Sequence, residues 1–214
     1  MSKKNNINFW NIFYKKKLAP VKPSSFAKFS FKRIEKMKYI TFDIGCGNGR
    51  DTIFFNKNNI ECFGIDKSKE ATLLNKKKYF NYSDKFLNRN FCTFFKKKIK
   101  KKFIVFSRFT WHSIDYKDER NLLNSLKKNK NLEFIFIEAR SIKDGIYGKG
   151  KKIGTHEFLT SHYRRFISSK VLINQLSKFC KILYFKESKN LAKFKNENPH
   201  VIRIIAKRKK FIRR

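Results

Sequence analysis

The spacing of hydrophobic positions changes near residue 39. Before it, Phe9, Trp10 and Phe13 fall at i, i+1 and i+4, which predicts an amphipathic helix. Pro20 and Pro23 stop it, and Ser24 or Ser25 can cap a second helix beginning near Phe26. From Tyr39 onward short apolar runs alternate with longer amphipathic ones. "YITFDI", "IECFGID", "KKFIVFS" and "LEFIFIE" predict strands, while "RDTIFFNKN", "KEATLLNKKK" and "KDERNLLNSLKKN" predict helices, the last with an acidic first turn that suits its macrodipole. The strand cores are apolar at successive positions, so both faces are buried and the sheet is parallel with helices on each side. After Glu138 the stretch "ARSIKDGIYGKGKKIGTHEFLTS" predicts no regular structure; too long for an ordinary connection, it is expected to be a functional loop. A helix around "SSKVLINQLSKFC", strands "KILYFKES" and "HVIRIIAK", and a basic tail "RKKFIRR" close the chain, with no internal repeat. The expected organisation is a helical leader over 1–38, either packing or a lid, an α/β domain over 39–207, and the tail over 208–214.

The 214 residues suffice for one α/β domain with a substantial core, hence for a single site. Lys and Arg number 53 against 16 Asp and Glu, a formal charge of +37, which points to an anionic partner such as nucleic acid. Lysine, asparagine, isoleucine and phenylalanine are nevertheless over-used together even in unpatterned stretches, as an A+T-rich coding sequence would yield, so the charge alone assigns no partner. The four cysteines, Cys46, Cys62, Cys92 and Cys180, form no C-x-x-C pair and have no histidine at zinc-ligand spacing, which predicts reduced thiols and no structural metal. No apolar run reaches the length of a membrane span and the N-terminus lacks a signal-peptide core, so a cytoplasmic protein is expected.

The candidate chemistry lies in "FDIGCGNGRD", Phe42 to Asp51. A dinucleotide loop wants a third glycine where Arg50 stands, and a P-loop wants Lys then Ser or Thr where Arg50 and Asp51 stand. What remains is Gly45, Gly47 and Gly49 giving backbone close access to a ligand, with Asp43 and Asp51 at the margins. Two carboxylates repel a pyrophosphate and suit an ammonium or sulfonium group. Asp66 ends the following strand, at the sheet edge where open α/β folds bind ligands, and an acceptor-only side chain there can take both hydrogens of a ribose diol.

In this pairing, "DIGCGNG" followed by Asp66, the chain resembles the class I S-adenosylmethionine-dependent methyltransferases from about Tyr39 to Lys207. The resemblance implies a doubly wound, Rossmann-like α/β fold: seven strands, mostly parallel, one antiparallel near the C-terminal edge, with helices on both faces. It implies S-adenosyl-L-methionine as cofactor, with Gly45, Cys46, Gly47 and Gly49 against its methionine part, Asp43 near the amino group, Asp66 on the ribose, and Asn90 with Phe91 at the adenine, where the family often has an acidic residue. Ser107, Arg108 and His112 would follow beside the methyl donor.

Around that edge Arg108, Arg140, His162, Tyr163, Arg164 and Arg165 suggest a small anionic acceptor, since arginine is a planar bidentate donor for carboxylate or phosphate. His112 is the candidate base, or a core histidine; Arg108 either contacts substrate or pairs with Glu138 or Asp115; Arg164 and Arg165 either bind or form a solvated turn. "FWNIFYKKKLAPVKPSSFAKF", "SRFTWH", "EARS" and "HYRRF" resemble a branch associated with bacterial surface-polysaccharide gene clusters, implying a sugar, sugar phosphate or phosphoryl acceptor methylated on oxygen or nitrogen. The alternatives are an RNA methyltransferase, for which no N-P-P-Y or D-P-P-Y tetrapeptide is present, a detoxifying enzyme acting on sulfur or a chalcogen, and a non-catalytic scaffold that binds the cofactor.

Overall fold

In the computed structural model, which describes residues 3–16 and 18–210, the chain begins with helices α1 (Lys3–Lys15) and α2 (Ser25–Ile34). Ser24 sets the start of the second. Its Oγ accepts from the Ala27 N–H at 2.9 Å, satisfying one of the donors a helix terminus leaves open. The Ser24 hydroxyl and N–H also donate to the two Asp51 carboxylate oxygens, at 2.6 and 2.7 Å. The leader is thereby fastened to the residue just past the glycine loop.

Strand and helix then alternate: β1 (Ile40–Ile44), α3 (Arg50–Lys57), β2 (Cys62–Asp66), α4 (Lys69–Lys78), β3 (Phe86–Asn88), the short α5 (Phe91–Phe94), β4 (Phe103–Arg108), α6 (Tyr116–Lys128) and β5 (Leu132–Arg140). The segment expected to be irregular instead forms β6 (Lys151–Gly154), β7 (Glu157–Leu159) and β8 (Tyr163–Arg165), a separate antiparallel sheet in that order. Its first strand carries two exposed lysines and no inside–outside alternation, so no period marks it as a strand. The chain ends with α7 (Ser169–Ser177), β9 (Cys180–Ser188) and β10 (Val201–Arg208); residues 211–214 of the basic tail lie outside the described residues.

The main sheet has the order β3-β2-β1-β4-β5-β10-β9, parallel except for β10, which is antiparallel to both neighbours. Its apolar side chains feed two cores. Phe103 and Val105 of β4 pack on one face with Leu122 and Leu126 of α6 and Leu172 of α7, while Ile104 and Phe106 pack on the other with Phe26 and Ile34 of α2 and Phe55 of α3. Each such buried side chain stabilises the fold by roughly 1.5–3 kcal/mol. The fold is the expected doubly wound α/β arrangement with helices on both faces. Its strand order reverses between β1 and β4, and the carboxyl ends of the parallel strands share one edge, which is where a ligand crevice opens in such sheets.

Replacing Ser24 with alanine removes both the cap and one Asp51 contact. A loss of about 1–2 kcal/mol in urea unfolding is expected; an unchanged midpoint contradicts this anchoring role.

Candidate active site

At that edge lies a cavity of about 640 Å³ whose floor is the glycine loop. Gly45 and Gly47 adopt φ values of +68° and +54°, where L side chains are strained. A Cβ would also overlap the Thr110 hydroxyl at 45 and the Tyr14 hydroxyl at 47. Thr110 donates to the Ile44 carbonyl at 2.7 Å, holding the loop's entry to the end of β4. Gly47 is held at both polar groups: its N–H donates to Asp66 Oδ2 at 2.9 Å and its carbonyl accepts from Asn75 Nδ2 at 2.7 Å. The other Asp66 oxygen accepts from the Ser68 N–H at 2.8 Å, and each oxygen keeps a further lone pair for a ligand hydroxyl.

Asp43 and Asp66 are both buried and, among the described residues, neither has a salt bridge. Burial, then the negative charge of Asp51, pushes the Asp43 carboxyl up to about 8, although Thr52 donates to it at 2.7 Å. Burial raises Asp66 too, against the opposing backbone hydrogen bonds. Both are carboxylates short of positive charge.

The roof is α1. Asn6, Trp10, Phe13 and Tyr14 line the cavity from above. One side of the helix is tied to the N-terminus of α4, where Ser68 donates to Asn11 Oδ1 at 2.6 Å. On the other side Phe9 stacks on His162 at 4.3 Å and Trp10 meets the same ring at 5.4 Å. Asn6 reaches the Ser113 carbonyl at 3.2 Å. The Tyr14 phenol is pushed up by burial and by Asp66. Sequence reading missed Tyr14, although its position four residues after Trp10 places it on the same helical face.

Of the residues expected to hold a cofactor, Asp43, Gly45, Cys46, Gly47, Asp66, Asn90 and Phe91 line the cavity, whereas Gly49 and Ser107 do not. Gly49 precedes α3 and packs on the Phe86 ring; Ser107 is fully buried in β4, its hydroxyl without a hydrogen-bond partner among the described residues. Asn90 lines the cavity at the start of α5, its side-chain oxygen accepting the Cys92 N–H at 3.0 Å. Of the acceptor residues, Arg108, His112 and Tyr163 line the cavity. His112 is 6% exposed, its Nδ1 has no hydrogen-bond partner among the described residues, and burial followed by the charges of Arg140, Arg164 and Arg108 holds it well below the usual imidazole range. Tyr163 donates to Glu157 Oε1 at 2.6 Å.

The remaining members of the arginine cluster do not converge on the cavity. Arg140 is engaged by Asp144 at 3.1 Å and Glu197 at 2.7 Å. Arg165 is buried in an ion pair with Glu119 and also donates to the Trp111 carbonyl at 3.2 Å. Arg164 donates to His162 Nε2 at 3.1 Å, which places the His162 proton on Nδ1, facing Ser161 Oγ. Among the described residues no three His, Cys, Asp or Glu side chains are grouped to hold a metal, and no helix is long and apolar enough to cross a membrane.

No protein-family model matches the sequence, and no curated protein matches it significantly. Solved structures do. An S-adenosylmethionine-dependent methyltransferase from Clostridium acetobutylicum superposes with a TM-score of 0.66 at 13% identity, covering 94% of this chain and 97% of that one. The glycopeptide N-methyltransferase MtfA, complexed with S-adenosyl-L-homocysteine, gives 0.65 at 14% identity over 88% and 90%. A SAM-dependent methyltransferase from Archaeoglobus fulgidus gives 0.60 at 17% over 85% and 94%. The chain has the class I methyltransferase fold. In this chain α1 roofs the cavity, and the small sheet supports that roof through His162.

His162 makes this roof pH-dependent. Burial and the neighbouring Arg164 lower its folded pKa to about 4, against roughly 6.5 for an unfolded histidine. Between those values the unfolded chain binds a proton that the folded chain does not. Its stabilising contribution is therefore complete above about pH 6.5 and is lost as pH falls through about 4. Thermal stability is expected to fall on acidification across this window, and less steeply in His162→Phe; parallel profiles contradict the assignment.

Proposed function

We propose that the chain is an S-adenosylmethionine-dependent methyltransferase whose acceptor is a small anionic molecule, such as a sugar phosphate, taken up beneath α1. The observation that carries the donor half is the state of the floor. Two buried carboxyl groups without a salt bridge among the described residues flank a loop that excludes side chains at 45 and 47, and Asp66 still has lone pairs free. A ligand bearing an ammonium group, a sulfonium and a ribose diol meets all three conditions. Asp43 would hold the amino group, the loop from Gly45 to Gly47 the chain beside the sulfur, Asp66 the diol, and Asn90 with Phe91 the base.

Bound there, the cofactor supplies a methyl group already activated by the positive sulfur. The protein's own work is then positioning, water exclusion and disposal of one proton. The α1 roof, closed over the loop by Tyr14, serves the first two. His112 serves the third for an acceptor hydroxyl or amine. Its cationic surroundings disfavour the imidazolium when the site is empty of anions, and an anionic acceptor beside Arg108 offsets part of that repulsion, so the base gains strength when its substrate arrives. An acceptor oxygen that is already ionised needs no base. The roof also favours a small acceptor over a polymer, because a polymer would have to displace α1 from both of its supports.

Calorimetry with S-adenosylmethionine and transfer of a labelled methyl group to sugar phosphates test the reading. Asp66→Ala is expected to weaken binding by about tenfold or more, as loss of a charged hydrogen-bond acceptor does, and Gly47→Ala to do so by displacing Tyr14. No binding to the parent, or parental binding by Asp66→Ala, contradicts it.

A further inference from the structure

We propose that Glu138 and Arg203 are positioning residues that hold Arg108 as a preoriented receptor for an oxyanion in the cavity. The three residues lie in one row across adjacent strands: Arg108 of β4 is in register with Glu138 of β5, which is in register with Arg203 of β10. The Glu138 side chain is fully buried between the two guanidinium groups. One of its oxygens accepts from Arg108 Nε at 3.1 Å and the other from Arg203 Nε at 2.6 Å. Left to itself, a carboxylate facing Arg108 would rotate to take two guanidinium N–H groups at once. Arg203 prevents this by occupying the second oxygen, and is itself fixed by donating to the Ser25 hydroxyl at 3.0 Å and the Leu191 carbonyl at 2.6 Å.

Arg108 consequently spends only its Nε on the protein. Its guanidinium carbon lies 4.2 Å over the Phe109 ring, which sets the plane of the group, and Phe109 is brought under it by a φ of +57° at the end of β4. Among the described residues the two terminal nitrogens of Arg108 have no hydrogen-bond partner, while the side chain lines the cavity and stays 17% exposed. Two cations share one carboxylate, so the trio carries an excess positive charge, and its open end is the fork of Arg108. A planar fork of two N–H₂ groups matches carboxylate, phosphate or sulfate oxygens bidentately.

The inference rests on the proposed function only for the source of that oxyanion, which is either the carboxylate of the donor's amino-acid part or an anionic group of the acceptor. Binding of three probes separates the two: S-adenosylhomocysteine, 5′-methylthioadenosine, which lacks the amino-acid part, and inorganic phosphate added to the S-adenosylhomocysteine complex. If the donor supplies the anion, Arg108→Ala weakens S-adenosylhomocysteine by about tenfold or more and leaves methylthioadenosine unchanged. If the acceptor supplies it, Arg108→Ala leaves both nucleosides unchanged and weakens phosphate by a similar factor. Arg108→Lys, which keeps the charge and loses the fork, should recover little of either. Added guanidinium should restore the affected probe in Arg108→Ala but not in Arg108→Ala/Glu138→Gln, where no carboxylate holds the free cation. That difference separates positioning from mere support of the fold. Arg108-dependent binding of phosphate to the ligand-free protein, in a chain that takes up neither nucleoside, would sink the donor assignment and leave this inference standing. The inference is overturned if Arg108→Ala binds all three probes like the parent, if the parent binds none of them, or if guanidinium rescues the single and double variants equally.

Discussion

The candidate site depends on one hydrogen bond, from the Gly47 N–H to Asp66 Oδ2 across the gap between β1 and β2. It fixes the middle of a loop whose backbone only glycine adopts without strain, and it draws a carboxylate out of water to do so. Asp43 is buried beside it, near the end of a strand covered on both faces. The floor therefore gathers carboxyl groups in a place of low polarisability, where an unpaired carboxylate is costly and Asp43 tends to keep its proton. A ligand that returns positive charge to that spot gains more there than it would at a surface.

The other half of the cavity follows the opposite rule. There the charge in excess is positive, but most of it is spoken for: Arg140, Arg165 and Arg203 are each locked to acidic partners and position structure. Of that cluster Arg108 lines the cavity and, among the described residues, its two terminal nitrogens have no hydrogen-bond partner. The cavity thus has carboxyl groups at its floor and the Arg108 guanidinium at another part of its wall. The roof then decides size. Because α1 is supported at Ser68 on one side and His162 on the other, the space beneath it is bounded from two directions.

How far the sequence showed this differs between the two halves. The glycine loop and Asp66 were legible because their roles are set by the backbone, and local sequence dictates backbone. The parallel sheet was legible for the same reason, through the uninterrupted apolar runs of its strands. The arginine cluster was not. "SHYRRF" is contiguous in sequence, yet β8 is a strand, so neighbouring side chains point to opposite faces and cannot gather at one point. The partners that absorb Arg165 and Arg140 sit 46 and 57 residues away, at Glu119 and Glu197, and no local pattern announces them. Arg108 with Glu138 was one of the alternatives the sequence left open; that Arg203 completes the row depends on β10 inserting between β5 and β9, which only the topology reveals.

The central claim, that the floor awaits a positive charge, is tested most directly by counting protons. With its carboxyl raised to about 8, Asp43 is mostly protonated at neutral pH in the free protein. A cationic group placed against it should expel that proton. Calorimetric titration with S-adenosylmethionine in buffers of different ionisation enthalpy should show proton release near pH 7, lost in Asp43→Asn. A binding enthalpy independent of buffer, or the same release in that variant, would contradict the account.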